Sequence, residues 1–223
     1  AAFNKVLSQR IFEEAGVLVP RTVVVRSHSF DVGRTVELLG GYPLVVKPAC
    51  EGSSIGVVLA GDEPALKEGV AQALTFGGDV LIQEHVQGRE MTVGILGQAP
   101  LPVVEVVAEK SFFDFEAKYQ ARTTRYDVPA RLSEPLAAIV QAEALKAYRA
   151  LGCDGFGRAD VILTQDHRPF VLEVNTIPGF TQTSLLPKAA RAAGLDFSKL
   201  CLTLVDMSYG KKKTAVETAD HKS

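Results

Sequence analysis

Two short runs hold the residues best suited to chemistry: Gly157-Arg158-Ala159-Asp160, and the stretch from Phe170 to Gly179. In the second, Phe170, Leu172 and Val174 alternate with Val171, Glu173 and Asn175, which predicts a strand with one apolar face and one carrying a carboxylate and a carboxamide. Thr164 to Pro169 between the runs is turn chemistry. A hairpin symmetric about it sets Asp160 opposite Glu173 and Arg158 opposite Asn175. Facing carboxylates destabilise a ladder unless a cation sits between them. Oxygen ligands without supporting His or Cys favour magnesium holding a nucleotide's phosphates over zinc. The competing reading is a surface hairpin whose charges are solvated.

A second cluster begins at Lys47 and continues through Pro48-Ala49-Cys50-Glu51-Gly52-Ser53-Ser54-Ile55-Gly56. A Walker loop carries its lysine at the loop's end and opens a helix, whereas Lys47 lies on the entering strand and an apolar run follows, so that motif is excluded. The loop can still turn backbone N–H groups toward phosphate with Lys47 supplying charge, or serve as a plain small-residue hairpin turn. Lys5, in the first turn of a helix, is either solvated or held to meet an anion. The connector His85-Val86-Gln87-Gly88 can offer backbone groups to an adenine, and Glu90 can reach a ribose. The segment from Ser111 to Tyr126, rich in aromatic and basic residues, resists regular assignment and reads as a functional loop or a satellite core.

The elements that must position these groups follow from caps and periodicity. Helices are expected from Asn4 to Gly16, over Phe30–Leu39, from Asp62 to Leu74, from Ser133 to Gly152, from Pro187, and over Phe197–Tyr209. The fourth has Leu136, Ile139, Val140, Ala144, Ala147, Tyr148 and Leu151 on one stripe. Strands are expected at Thr22–Val25, Leu44–Lys47, Val57–Leu59 and Val80–Glu84, then in a hairpin of Glu90–Leu96 with Leu101–Val107. The fold class is α+β with two lobes, 1–83 and 84–210, followed by a disordered tail over 211–223.

With 223 residues, 47% of them hydrophobic, the chain can bury a substantial core, and its net charge of −2 offers no basic field for nucleic acid. No apolar run approaches membrane-spanning length, and the N-terminus lacks the apolar core of a signal peptide, so a cytoplasmic protein is expected. Cys50, Cys153 and Cys201 are scattered, which argues against disulfides and zinc.

With phosphate loop, connector, long loop and carboxylate hairpin in that order, the chain resembles the D-alanine-D-alanine ligase family of ATP-grasp enzymes from Asn4 to about Asp206. The carriers are Lys47 to Gly56, Phe113-Asp114-Phe115-Glu116-Ala117-Lys118-Tyr119, and Leu172-Glu173-Val174-Asn175-Thr176-Ile177-Pro178-Gly179. The resemblance implies two lobes of mostly antiparallel sheets clamping ATP, with two magnesium ions, replaceable by manganese, on Asp160, Glu173 and Asn175. Lys5, Lys47, Ser54 and Lys118 would meet the phosphates and Glu90 the ribose. Gln83, Glu84 and Val86 would read adenine between Phe112 and Leu172, although the family more often has Glu at the position of Gln83.

By the same resemblance, Arg158 and the Gly179 N–H would stabilise the oxyanion. Ser184 with Leu185 would hold the acceptor, and Ser53 with Tyr119 the first D-alanine. Thr183 stands where some members have histidine. Family members also carry a preceding domain that supplies a carboxylate to the first D-alanine's ammonium, and nothing in this sequence corresponds to it. The implied activity is ATP-dependent joining of two D-alanines through an acyl phosphate for peptidoglycan precursors, with this chain weakly active or inactive alone. A D-serine or D-lactate acceptor and a nucleotide-binding fragment without turnover are the alternatives, and a homodimer is compatible.

Overall fold

The computed structural model describes residue 2 and residues 4–52, 55–108 and 124–220, with side chains to residue 209. Its first sheet is built from β1 (Thr22–Val25), β2 (Leu44–Pro48), β3 (Val58–Ala60) and β4 (Val80–Glu84), in the order β1-β4-β2-β3 with every pair antiparallel. Leu44, Val46 and Ile82 face two helices, α2 (Val32–Leu39) and α3 (Glu63–Leu74), forming one core with Leu39, Leu66, Val70 and Ala73. The period of two then turns Val45, Lys47, Leu81 and Gln83 to the opposite face. Asp31 and Asp62 cap the two helices through their carboxylates, and Pro64 stands in the first turn of α3, as local sequence requires.

The second sheet contains β5 (Arg89–Leu96), β6 (Ala99–Pro100), β7 (Val104–Ala108), β8 (Thr124–Asp127), β9 (Phe156–Leu163) and β10 (Pro169–Asn175). They run in the order β10-β9-β5-β7-β8, with β6 beside β5. The hairpin expected to join Glu90–Leu96 directly to Leu101–Val107 instead closes through β6 before β7 pairs with Glu90, Met91 and Thr92. One face packs on α4 (Glu134–Ala150), whose Val140, Ala144, Ala147 and Tyr148 meet Val93, Ile95, Ala159 and Val161. Ile139, assigned to the same stripe, is exposed, because it sits about 100° around the helix from Val140. Ser133 occupies the N-cap position of α4 but makes no side-chain capping bond.

α5 (Leu185–Ala192) and α6 (Phe197–Asp220) close the far part of the second sheet through Leu186, Ala189, Ala190 and Leu200. Two expectations are corrected here. α5 begins at Leu185, two residues before Pro187, which moves Ser184 to its N-cap. The backbone of α6 runs to Asp220, so 211–220 is helical where a disordered tail was expected; beyond Gly210 the sequence holds no proline, and its Lys, Ala and Glu residues are good helix formers.

α1 (Lys5–Glu14) serves both halves. Val6 packs with Ala49 and Leu81 of the first, while Phe12 enters the core of the second. The segment between α1 and β1 is tied to the second half: Leu18 N–H donates to Glu143 at 2.6 Å, and the Leu18 carbonyl accepts from Val171 N–H at 2.8 Å. These ties fix the first sheet's polar face toward that of the second.

Candidate active site

Between those faces lies a cleft of about 440 Å³. Lys5, Lys47, Gln83, Glu84, Val86, Glu90, Arg158, Asp160, Leu172, Glu173 and Leu185 all line it, although they come from six separate stretches of chain. Asn175, Gly179 and Ser184 stand on β10 and in the segment that follows. Ser53, Ser54, Phe112, Lys118 and Tyr119 lie outside the described residues.

β9 and β10 carry the carboxylates. Asp160 pairs with Glu173 and Arg158 with Asn175, as the hairpin symmetry predicts. The predicted alternation does not hold along β10, because Val171 pairs with Val161 and Leu172 is an extra residue between two pairs. This bulge lets Val171 and Val174 both reach the core while Leu172 and Glu173 both reach the cleft. A regular strand would have sent Leu172 and Glu173 to opposite faces.

A cation does compensate each carboxylate, but it is a side chain. Arg158 donates to Asp160 from Nε at 2.8 Å and from Nη2 at 2.7 Å, and Lys5 Nζ lies 3.6 Å from Glu173. The facing pair therefore does not by itself require a metal. Among the described residues no group of three His, Cys, Asp or Glu converges. The available set is the two carboxylates with the Asn175 carboxamide, whose Oδ1 accepts from Ile177 N–H at 3.0 Å and retains one lone pair. This hard, all-oxygen set suits magnesium and offers zinc no nitrogen or sulfur ligand.

The opposite wall is cationic. Lys47 is 8% exposed, and burial lowers its pKa to about 8; Glu173 works against that shift and Lys5 adds to it. Lys5 also donates to the Glu51 carbonyl, and its N–H bonds the Ala49 carbonyl at 2.9 Å, so the start of α1 is bound to the loop after β2. Gln83 is buried with its amide nitrogen donating to Thr22 Oγ1 at 2.7 Å and to Gln9 Oε1 at 3.4 Å. Glu84 is held by Arg21, whose backbone N–H and Nε donate at 2.8 and 2.7 Å, and His85 and Val86 of the connector line the cleft. Partial burial of Glu90, then the charge of Asp160, raise its carboxyl pKa.

Past β10 the chain folds back on itself. A Cβ on Gly179 would meet Ser184 Oγ at 3.0 Å, so any larger residue there would press on the serine. Ser184 does not cap α5; its Oγ accepts from Thr181 N–H at 3.1 Å and bonds Thr181 Oγ1 at 2.8 Å. One buried participant escaped the sequence reading. Thr92 donates to Asp160 Oδ1 at 2.8 Å. Its place depends on β5 pairing with β9, a contact between distant segments that no local pattern announces.

Residues 11–206 match the family model described as the D-ala D-ala ligase C-terminus. The D-alanine-D-alanine ligase of Halalkalibacterium halodurans is 40% identical over 215 residues, an alignment covering 94% of this chain and 70% of that protein. The crystal structure of the D-alanine-D-alanine ligase from Bacillus anthracis is similar with a TM-score of 0.85 at 33% identity, covering 96% of this chain and 69% of that one. The same enzyme complexed with ATP gives 0.82 at 32% identity, covering 96% and 68%. The chain thus spans about two thirds of these proteins, over the part that forms the ATP-grasp fold, and it belongs to the D-alanine-D-alanine ligase family of ATP-dependent ligases.

Proposed function

We propose that this chain binds Mg-ATP in its cleft and provides the phosphoryl-transfer and acyl-transfer machinery for joining two D-alanines, a product that in this family serves peptidoglycan synthesis. The carrying observation is the cleft's opposed walls, with Lys5 and Lys47 on one side and Asp160 and Glu173 on the other. A polyphosphate needs cations, while carboxylates tolerate phosphate only through a shared metal ion. Asp160, Glu173 and Asn175 would hold magnesium, which when bound neutralises charge on the transferring phosphoryl group.

The protein's own part is positioning and electrostatics. Lys5 and Lys47 hold the phosphates, Glu90 takes the ribose hydroxyls, and the 83–86 backbone with Leu172 receives the adenine. The γ-phosphoryl group passes to the first D-alanine's carboxylate as ADP leaves. The free amine of the second D-alanine then attacks the acyl carbon, phosphate departs, and the amine's proton is lost to solvent. Arg158 spends two of its five N–H donors on Asp160, so the others remain for the tetrahedral oxyanion together with the Gly179 N–H. Ser184, beside Gly179, would orient the acceptor's carboxylate.

Calorimetric titration of β,γ-imido-ATP with magnesium and then with EDTA tests the reading. Affinity should fall at least tenfold in EDTA, and equal affinity in both would overturn the metal assignment. Dipeptide assays with D-alanine, D-serine and D-lactate as acceptors, in the chain and in a form extended by the family's preceding domain, test the substrate.

A further inference from the structure

Thr92 sits on β5 directly across the ladder from Asp160 and is 2% exposed. A buried hydroxyl there has one proton to donate. Two acceptors are in reach, the Ala159 carbonyl at 3.3 Å and Asp160 Oδ1 at 2.8 Å, and the shorter bond to a charged oxygen takes it. Arg158 Nε reaches the same Oδ1 at 2.8 Å, while its Nη2 reaches Oδ2 at 2.7 Å. A carboxylate has about four lone-pair sites. Those on Oδ1 are both filled, and the one still open is on Oδ2.

We propose that Thr92 is a positioning residue for the metal-holding carboxylate, fixing the rotation of Asp160 so that Oδ2 keeps an open lone pair. The inference rests on the magnesium reading above. Without the threonine, Arg158 alone would orient Asp160, and this same arginine is needed at the oxyanion. Two tasks on one flexible side chain would then be coupled. With Thr92 in a rigid central strand holding Oδ1, Arg158 can shift its remaining donors toward the substrate without carrying Asp160 along.

The test titrates Mn²⁺ into the chain at saturating β,γ-imido-ATP and reads the free ion by its electron paramagnetic resonance signal. Asp160→Asn should abolish or severely weaken binding. Thr92→Val, which keeps the shape and removes the hydroxyl, should weaken it about ten- to hundredfold, as loss of a metal ligand's supporting partner commonly does. Thr92→Ser should restore wild-type affinity. Thr92→Ala accompanies valine, with circular dichroism on each, so that a folding defect in one variant leaves the other to read. Wild-type Mn²⁺ affinity in folded Thr92→Val or Thr92→Ala, with Asp160→Asn defective, would overturn the role of Thr92 alone. An Asp160→Asn variant that binds normally would instead overturn the metal reading beneath it.

Discussion

The two walls of the cleft handle charge in opposite ways. On the second wall the two carboxylates proposed to hold metal each have a protein partner: Arg158 meets Asp160 through two hydrogen bonds, and Glu173 has Lys5 at 3.6 Å. On the first wall Lys47 is buried far enough for its pKa to fall to about 8, so holding its charge has an electrostatic cost that an arriving anion would offset. One wall is nearly balanced, while the other is poised for a ligand. The asymmetry gives the cleft a direction, phosphate toward the lysines and metal toward the carboxylates.

Glu173→Gln should break this comparison most severely. The substitution removes a charged ligand proposed for the metal and also the ion-pair partner of Lys5, which keeps its bond to the Glu51 carbonyl. Charge-assisted contacts contribute about 1.5 to 3 kcal/mol each, so affinity for the magnesium complex of β,γ-imido-ATP should fall roughly a hundredfold. Affinity in EDTA should stay level or rise, since Lys5 and Lys47 then face the phosphates without an opposing carboxylate. Calorimetry with and without magnesium reads both numbers. A preserved magnesium effect would mean that Glu173 serves Lys5 and no metal.

Much of that second wall was legible in the sequence, and the way it succeeded is instructive. Symmetry about the 164–169 turn predicts Asp160 opposite Glu173, and the pair is found. The same symmetry predicts regular alternation, which fails because the pairs nearest the turn are offset by one residue and the bulge at Leu172 restores the register. A bulge is decided by how both strands pack, so a single strand's pattern cannot reveal it. Thr92 was hidden for a related reason: its partner lies 68 residues away. Caps and helix spans were read well where a side chain bonds the backbone locally, as at Asn4 and Asp62, and less well at Ser133 and Pro187, where tertiary packing sets the boundary.

The first wall yields a proton-linkage prediction. If phosphate settles beside Lys47, the charged ammonium is favoured and its pKa rises from about 8. Between pH 8 and that raised value, the complex binds more protons at Lys47 than the free chain does. Nucleotide binding should therefore take up close to half a proton at pH 8, and affinity should decline as pH rises through this window, with little change below it. Calorimetry in buffers of different ionisation enthalpy measures the uptake. Lys47→Met should remove it, and uptake that persists in this variant would assign the linkage to another group.

The smallest effect on affinity is expected from Gln83→Glu, which adds a negative charge to the cationic wall. Val45 pairs with Gln83 and Lys47 with Leu81, so Gln83 and Lys47 are diagonal neighbours on one face, at the roughly 7 to 8 Å such positions share. A unit charge at that separation is worth about 2 kcal/mol at an effective dielectric near 20, equivalent to about one and a half pKa units. The attraction favours charged Lys47, so the uptake midpoint should move upward by about one and a half units. Near pH 7 the lysine is already protonated both with and without nucleotide, and affinity there should change by less than threefold, about 0.6 kcal/mol. The new carboxylate could accept from Thr22 Oγ1, which now receives a bond from the Gln83 amide, only if that hydroxyl gives up its own bond to the Pro20 carbonyl at 2.9 Å. Its own cost is burial, and a carboxyl that takes up a proton on folding would leave Lys47 untouched. An unmoved midpoint would therefore show either that the introduced carboxyl is neutral or that Lys47 is not the linked group, and the Lys47→Met result distinguishes the two.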